Sequence, residues 1–148
     1  MNTDEGLALQ NIAHDGYHVR HVPGDYDHAC FTYSIGIEQS LGRPELVVTG
    51  LARDQVVPVL MAYYARQKGG ESLQPDRKYP GFLPGCDVIF KAVDRINYPD
   101  FFGWGLWLYK GDSFRVWQLI YPSTAGTWPW EPHPPSGYAW DIFTLYPD

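Results

Sequence analysis

The residues best able to do chemistry crowd into the first third of the chain. His14-Asp15-Gly16-Tyr17-His18-Val19-Arg20-His21 is followed by Asp25-Tyr26-Asp27-His28. Neutral imidazole is a common metal ligand, so histidines this close raise a metal site. Strand alternation argues against it, because His18 and His21 fall on opposite faces and no His-x-His pair exists. The expectation is surface and edge histidines, with no metal and no cofactor. Asp25, Asp27 and His28 can form an acid–base group with Glu45 across a sheet, and acid–base work needs one group tuned near neutral pH and within reach of substrate. A carboxylate beside a Pro-Gly-Asp turn more often bonds its own backbone. Glu45 opens an apolar strand after Pro44, which suits an exposed strand start or a buried anchor paired with Arg43 or Arg53 better than catalysis.

Nucleophiles are weaker still. Ser34 sits in Tyr33-Ser34-Ile35-Gly36, which lacks the first glycine of a nucleophile elbow. Cys30 lies two residues after His28, but a small buried thiol is the commoner outcome. Gly103-Trp104-Gly105 has no third glycine at phosphate-loop spacing. The enzyme hypothesis therefore needs His21, His28, Tyr33 and Glu45, with Asp25, to converge in one cleft, as in a small hydrolase. The chain leans away from being an enzyme.

A different resource lies near the end, in Thr127–Trp140, TWPWEPHPPSGYAW. Prolines hold it extended and remove backbone donors. Trp128, Trp130, Tyr138 and Trp140 offer large flat faces that can bind a proline-rich peptide, stack on a sugar or form a protein hot spot. Alternatively, the strip wraps the sheet and lays its rings into the core. Arg43 is the further candidate binding side chain.

The 148 residues include 45% hydrophobic, 19% charged and 16% aromatic residues, so they suit one globular domain, 1–148, with 127–148 as an aromatic, proline-rich arm. Net charge is −6, with no Lys or Arg before Arg20 or after Arg115. That balance disfavours nucleic acid and more easily accommodates a basic protein partner or a neutral ligand; of a protein and a small molecule, the protein is the expected partner. Two cysteines, Cys30 and Cys86, make no disulfide scaffold. No run suits a secretory signal or a membrane span, so a cytoplasmic location is expected.

The positioning elements follow from periodicity. Helices are expected at Thr3–Ala13 and Arg53–Lys68, with a weaker helical pattern over Tyr98–Tyr109. Strands are expected at Tyr17–Val22, Ala29–Ile37, Glu45–Thr49, Asp87–Val93 and Phe114–Tyr121, and a long surface loop at Ser72–Gly85. The fold expected is α+β: a mainly antiparallel sheet of about five strands, two or three helices, and a single helical layer on one face.

Several short motifs, in order, carry a resemblance. They are Gly16-Tyr17-His18, Tyr33-Ser34-Ile35-Gly36, Pro44-Glu45-Leu46, Gly50-Leu51, Gln118-Leu119-Ile120-Tyr121-Pro122 and Trp128-Pro129-Trp130. Together the chain resembles a bacterial family of small proteins catalogued only as a domain of unknown function. The resemblance implies an α+β fold and names no chemistry. Many members place His before Pro-Glu-Leu where this chain has Arg43, which stays protonated and is no metal ligand. The functions considered are a non-catalytic protein-binding or inhibitory module of the toxin-neutralising (immunity) kind, the small hydrolase, and a carbohydrate-binding module.

Overall fold

The computed structural model describes residues 3–147; Met1, Asn2 and the arm's last residue, Asp148, lie outside them. In chain order the elements are α1 (Thr3–Asp15), β1 (His18–Val22), β2 (Phe31–Ile35), α2 (Ile37–Leu41), β3 (Glu45–Thr49) and α3 (Arg53–Lys68). There follow β4 (Lys78–Leu83), β5 (Cys86–Ala92), a 3-10 turn (Arg95–Asn97), α4 (Tyr98–Phe101), α5 (Gly103–Tyr109), β6 (Val116–Ile120) and α6 (Ser136–Asp141).

The strands form one sheet of six in the order β1-β2-β3-β6-β5-β4. Four pairings are antiparallel, while β3 and β6 run parallel, Glu45 opposite Val116 and Val47 opposite Gln118. The class is α+β, but the sheet is mixed and larger than expected. The sixth strand, β4, lies in the stretch expected to be loop. Its Pro80 and Gly81 read as turn residues, yet an edge strand tolerates both, and its pairing with β5 shifts register there.

The helices are also more numerous, and they cover both faces. Alternation along the strands sorts the core in two. Leu46 and Val48 of β3, with Val88, Phe90 and Leu119, pack under Val56, Val59, Leu60 and Tyr63 of α3. Val47, with Phe31, Tyr33, Ile35 and Val116, packs on the other side against Ala8 and Ile12 of α1 and against Tyr98 and Phe102. A single helical layer would leave that second row of apolar side chains in water. At about 25 cal/mol per Å² that is untenable for rings as large as Phe31 and Tyr33.

Between β2 and β3 the chain inserts α2, only five residues long. Gly36 starts it at φ 105°, and a Cβ there would sit 2.8 Å from Ile12 of α1, so only glycine lets the strand turn this close to the helix. After β6 the chain runs through α6 and returns to both cores, Ile142 to one and Leu145 to the other.

Candidate functional site

The sequence candidates separate into side chains occupied by structure and side chains left at the surface. Glu45 belongs to the first group. It begins β3, is 1% exposed, and its two oxygens accept five hydrogen bonds. Oε1 takes the Ser34 hydroxyl (2.9 Å) and the Ile37 N–H (3.1 Å). Oε2 takes the N–H groups of Gly36 (3.0 Å) and Glu38 (3.1 Å) and the Tyr109 hydroxyl (2.5 Å). The carboxyl thus replaces the missing side-chain cap of α2: the N–H groups of Gly36, Ile37 and Glu38 point at it, while that of Gln39 donates to the Tyr109 hydroxyl. No arginine pairs with it. Burial pushes the carboxyl up to about 7, against the pull of Tyr109 and the other donors. A carboxylate has about four lone-pair positions, so five donors leave none for a substrate.

The histidines are similarly engaged. His21 Nδ1 lies 2.7 Å from the Thr32 hydroxyl on the α3 side of the sheet, whereas Tyr33 faces the other side and its hydroxyl accepts the Trp104 N–H. His28 lies among Phe31, Phe101 and Phe143, with ring centroids 5.3 to 5.4 Å away, and its Nδ1 donates to the Ala29 carbonyl. Asp25 accepts the backbone N–H groups of Asp27 and His28, which hold its carboxyl below the usual range. His18 Nδ1 takes the Asn11 amide at 2.9 Å, and His14 pairs with Asp15 in solvent. Among the described residues no three His, Cys, Asp or Glu side chains are grouped as a metal ion would need. Arg43 is tied down too: Nε donates to Gln67 Oε1 and Nη2 to the Leu73 carbonyl. His21, His28, Tyr33 and Glu45 therefore each serve a different local joint.

The arm contains the second group. Gln118, fully buried on β6, anchors it: Nε2 donates to the Phe143 carbonyl and Oε1 accepts the Leu145 N–H. Tyr138 donates to the Tyr121 carbonyl and packs on the core. Trp128 also packs on the core, but Trp130 and Trp140 stay 48% and 47% exposed. The strip is thus divided, with Trp128 and Tyr138 laid on the core and Trp130 and Trp140 left partly in solvent. Trp128 and Trp130 stack at 5.4 Å with their planes 6° apart. Lys78 Nζ lies over the first ring and Lys91 Nζ over the second, at 5.6 and 5.1 Å. Neither lysine was singled out by sequence, because both come from strands distant in sequence from the arm, Lys78 from edge strand β4 and Lys91 from its neighbour β5.

Three clefts border the arm. One of about 530 Å³ has Trp130, Pro129, Lys91 and Asp76 in its walls. One of about 300 Å³ includes Pro129, Pro134 and Ala139. One of about 550 Å³ lies between Tyr138 and Asp141 of α6 and the ends of β3 and β6. Gly50, at φ 76°, is what lets α6 come so near: a Cβ there would sit 2.4 Å from Asp141 Cβ. Asp141 is the other residue the sequence gave no reason to choose, since an acid in a short helix looks like solvated surface.

No helix of the described residues is long and apolar enough to cross a membrane. No curated protein and no solved structure matches the chain. A family model does match, over residues 11–135, from the end of α1 to the threshold of α6, and the chain belongs to that family, the domain of unknown function DUF4262.

Proposed function

We propose that this protein is a non-catalytic binding module that recognises a basic protein surface through its aromatic arm, acting as an inhibitor of the toxin-neutralising kind. The observation that carries the reading is the half-exposure of Trp130 and Trp140 on a segment pinned by buried Gln118. Large rings held in place lose little freedom on binding, which is how aromatic hot spots gain affinity. Charge supports the choice of partner. From β6 to the end of the described residues there is no Lys or Arg, while Glu131 and Asp141 are acidic, and the whole chain is at −6. Lys78 and Lys91 already lie over Trp128 and Trp130, the contact a partner's cations would make with Trp140. The same stack speaks against sugar binding at that pair, since each ring has one face on its neighbour and an ammonium over it. The enzyme reading loses support because its four residues are held in separate joints.

Titration with basic, acidic and neutral peptides and with neutral oligosaccharides, followed by tryptophan emission and calorimetry, tests the reading. Basic ligands are expected to bind, with at least a tenfold loss in Trp130→Ala/Trp140→Ala and no change in thermal unfolding. Preference for an oligosaccharide, or equal binding by the variant, overturns it. Co-production with the product of the neighbouring gene tests the inhibitory half: relief of a growth arrest supports it, and a metabolic enzyme there overturns it.

A further inference from the structure

The carboxyl ends of β3 and β6, the parallel pair, open on the cleft of about 550 Å³. Such a crevice is where sheets with parallel strands commonly receive ligands. Its walls include Tyr121, Tyr138, Pro122 and Pro135, with Gln55 at the start of α3, and Asp141 is the one charged side chain among them. The Asp141 carboxylate has no hydrogen-bond or ion-pair partner among the described residues. The two neighbouring hydroxyls are spent elsewhere, Tyr121 on the Thr49 carbonyl at 2.8 Å and Tyr138 on the Tyr121 carbonyl at 2.7 Å. Burial alone moves the Asp141 carboxyl up, as it does for an anion given nothing in return. A carboxylate set among rings and prolines, without a cation on any wall, is half of an ion pair.

We infer that this cleft receives the cationic end of a lysine or arginine side chain from the protein partner, its stem lying along Tyr121 and Tyr138 and its charge meeting Asp141. The inference rests on the protein-binding reading and supplies it with an anchor next to Trp140. An aliphatic stem on aromatic walls with a paired head group is how long basic side chains are buried at low cost. An anion is the poorer occupant. The start of α3 borders the cleft, but Gln55 Oε1 already accepts the Ala52 N–H, and Asp141 would repel the ligand.

The probe is a glycine-flanked pentapeptide with one central lysine, compared with its norleucine counterpart and with inorganic phosphate. Binding is followed by amide chemical shifts of Gln55, Gly137 and Tyr138. The lysine peptide is expected to bind at least tenfold tighter than the norleucine peptide, and Asp141→Asn to erase that difference while leaving thermal unfolding unchanged. Asp141→Glu should restore part of it. Shifts elsewhere only, equal binding of the two peptides, or binding of phosphate overturns the inference. Basic ligands that still depend on Trp130 and Trp140 but ignore Asp141→Asn would refute the anchor and keep the binding module. Loss of all basic binding would refute the module itself.

Discussion

Replacing Glu45 by glutamine tests whether this carboxyl is an anchor or a catalyst. Its ordinary value is 4.5 and burial pushes it to about 7 in the fold. The folded protein therefore holds this proton more tightly than the unfolded chain does. The resulting stability is fully present below pH 4.5 and is lost as pH rises through 7. At about 1.4 kcal/mol for each tenfold change, the gap is about 3 kcal/mol. Glutamine keeps the shape but cannot ionise, and its amide turns an N–H₂ toward N–H donors. One or two of the five donors lose their acceptor, at about 1–3 kcal/mol each.

Urea denaturation of both proteins from pH 5 to pH 8 reads the difference. Glu45→Gln is expected to be clearly less stable at pH 5, with the deficit shrinking toward pH 8 as the native carboxyl ionises. Comparison within the pair cancels other titrating groups, such as His18, whose imidazole is pushed down chiefly by burial. A deficit that widens with pH would mean the five donors hold the carboxylate ionised and that burial does not win. An enzyme would behave differently: a variant as stable as the parent at every pH, with some turnover abolished, would refute the anchor altogether.

Tyr109→Phe removes the shortest of the five bonds and, with it, the strongest pull toward the ionised form. The expected loss is about 1–2 kcal/mol, larger at pH 8 than at pH 5 because the hydroxyl serves the carboxylate; equal losses at both would contradict this. Gly50→Ala places a methyl 2.4 Å from Asp141 Cβ at a positive φ. It is expected to displace α6, lower stability by about 1–3 kcal/mol and shift tryptophan emission to the red; an unchanged melting curve and spectrum would show that α6 is not held there.

Sequence periodicity located β3 and α3 at their observed bounds, and it marked a strand over Phe31–Ile35, every residue of which is buried. What covers each face was not readable, because that depends on where α1 and α5 return in space. The parallel pairing of β3 with β6 joins segments about seventy residues apart, and nothing in either strand's pattern states its neighbour. Helix α2 is too short to show a period; it exists because Glu45, from the next strand, caps it. In the arm, prolines erase periodicity, so the tryptophans were visible as a group while the outward pair, Trp130 and Trp140, was not.

Four of the motifs that carry the family resemblance are joints of the scaffold. Gly36 admits Ile12, Glu45 caps α2, Gly50 admits Asp141, and Gln118 pins the returning chain at Phe143 and Leu145. Each holds two elements together, Gly36, Glu45 and Gln118 from buried positions and Gly50 from a half-buried one, so substitution there should cost stability first. Tyr138, Trp140 and Asp141 lie past residue 135, where the family match ends. The cleft that Tyr138 and Asp141 close is built partly from the shared scaffold, at Gln55 and Tyr121, and partly from α6. On this arrangement, exchanging residues 136–141 for a different amphipathic turn, with Ile142 and Leu145 kept, should change what the protein binds and leave its fold intact. Retention of the same ligand after that exchange would place recognition in the scaffold instead.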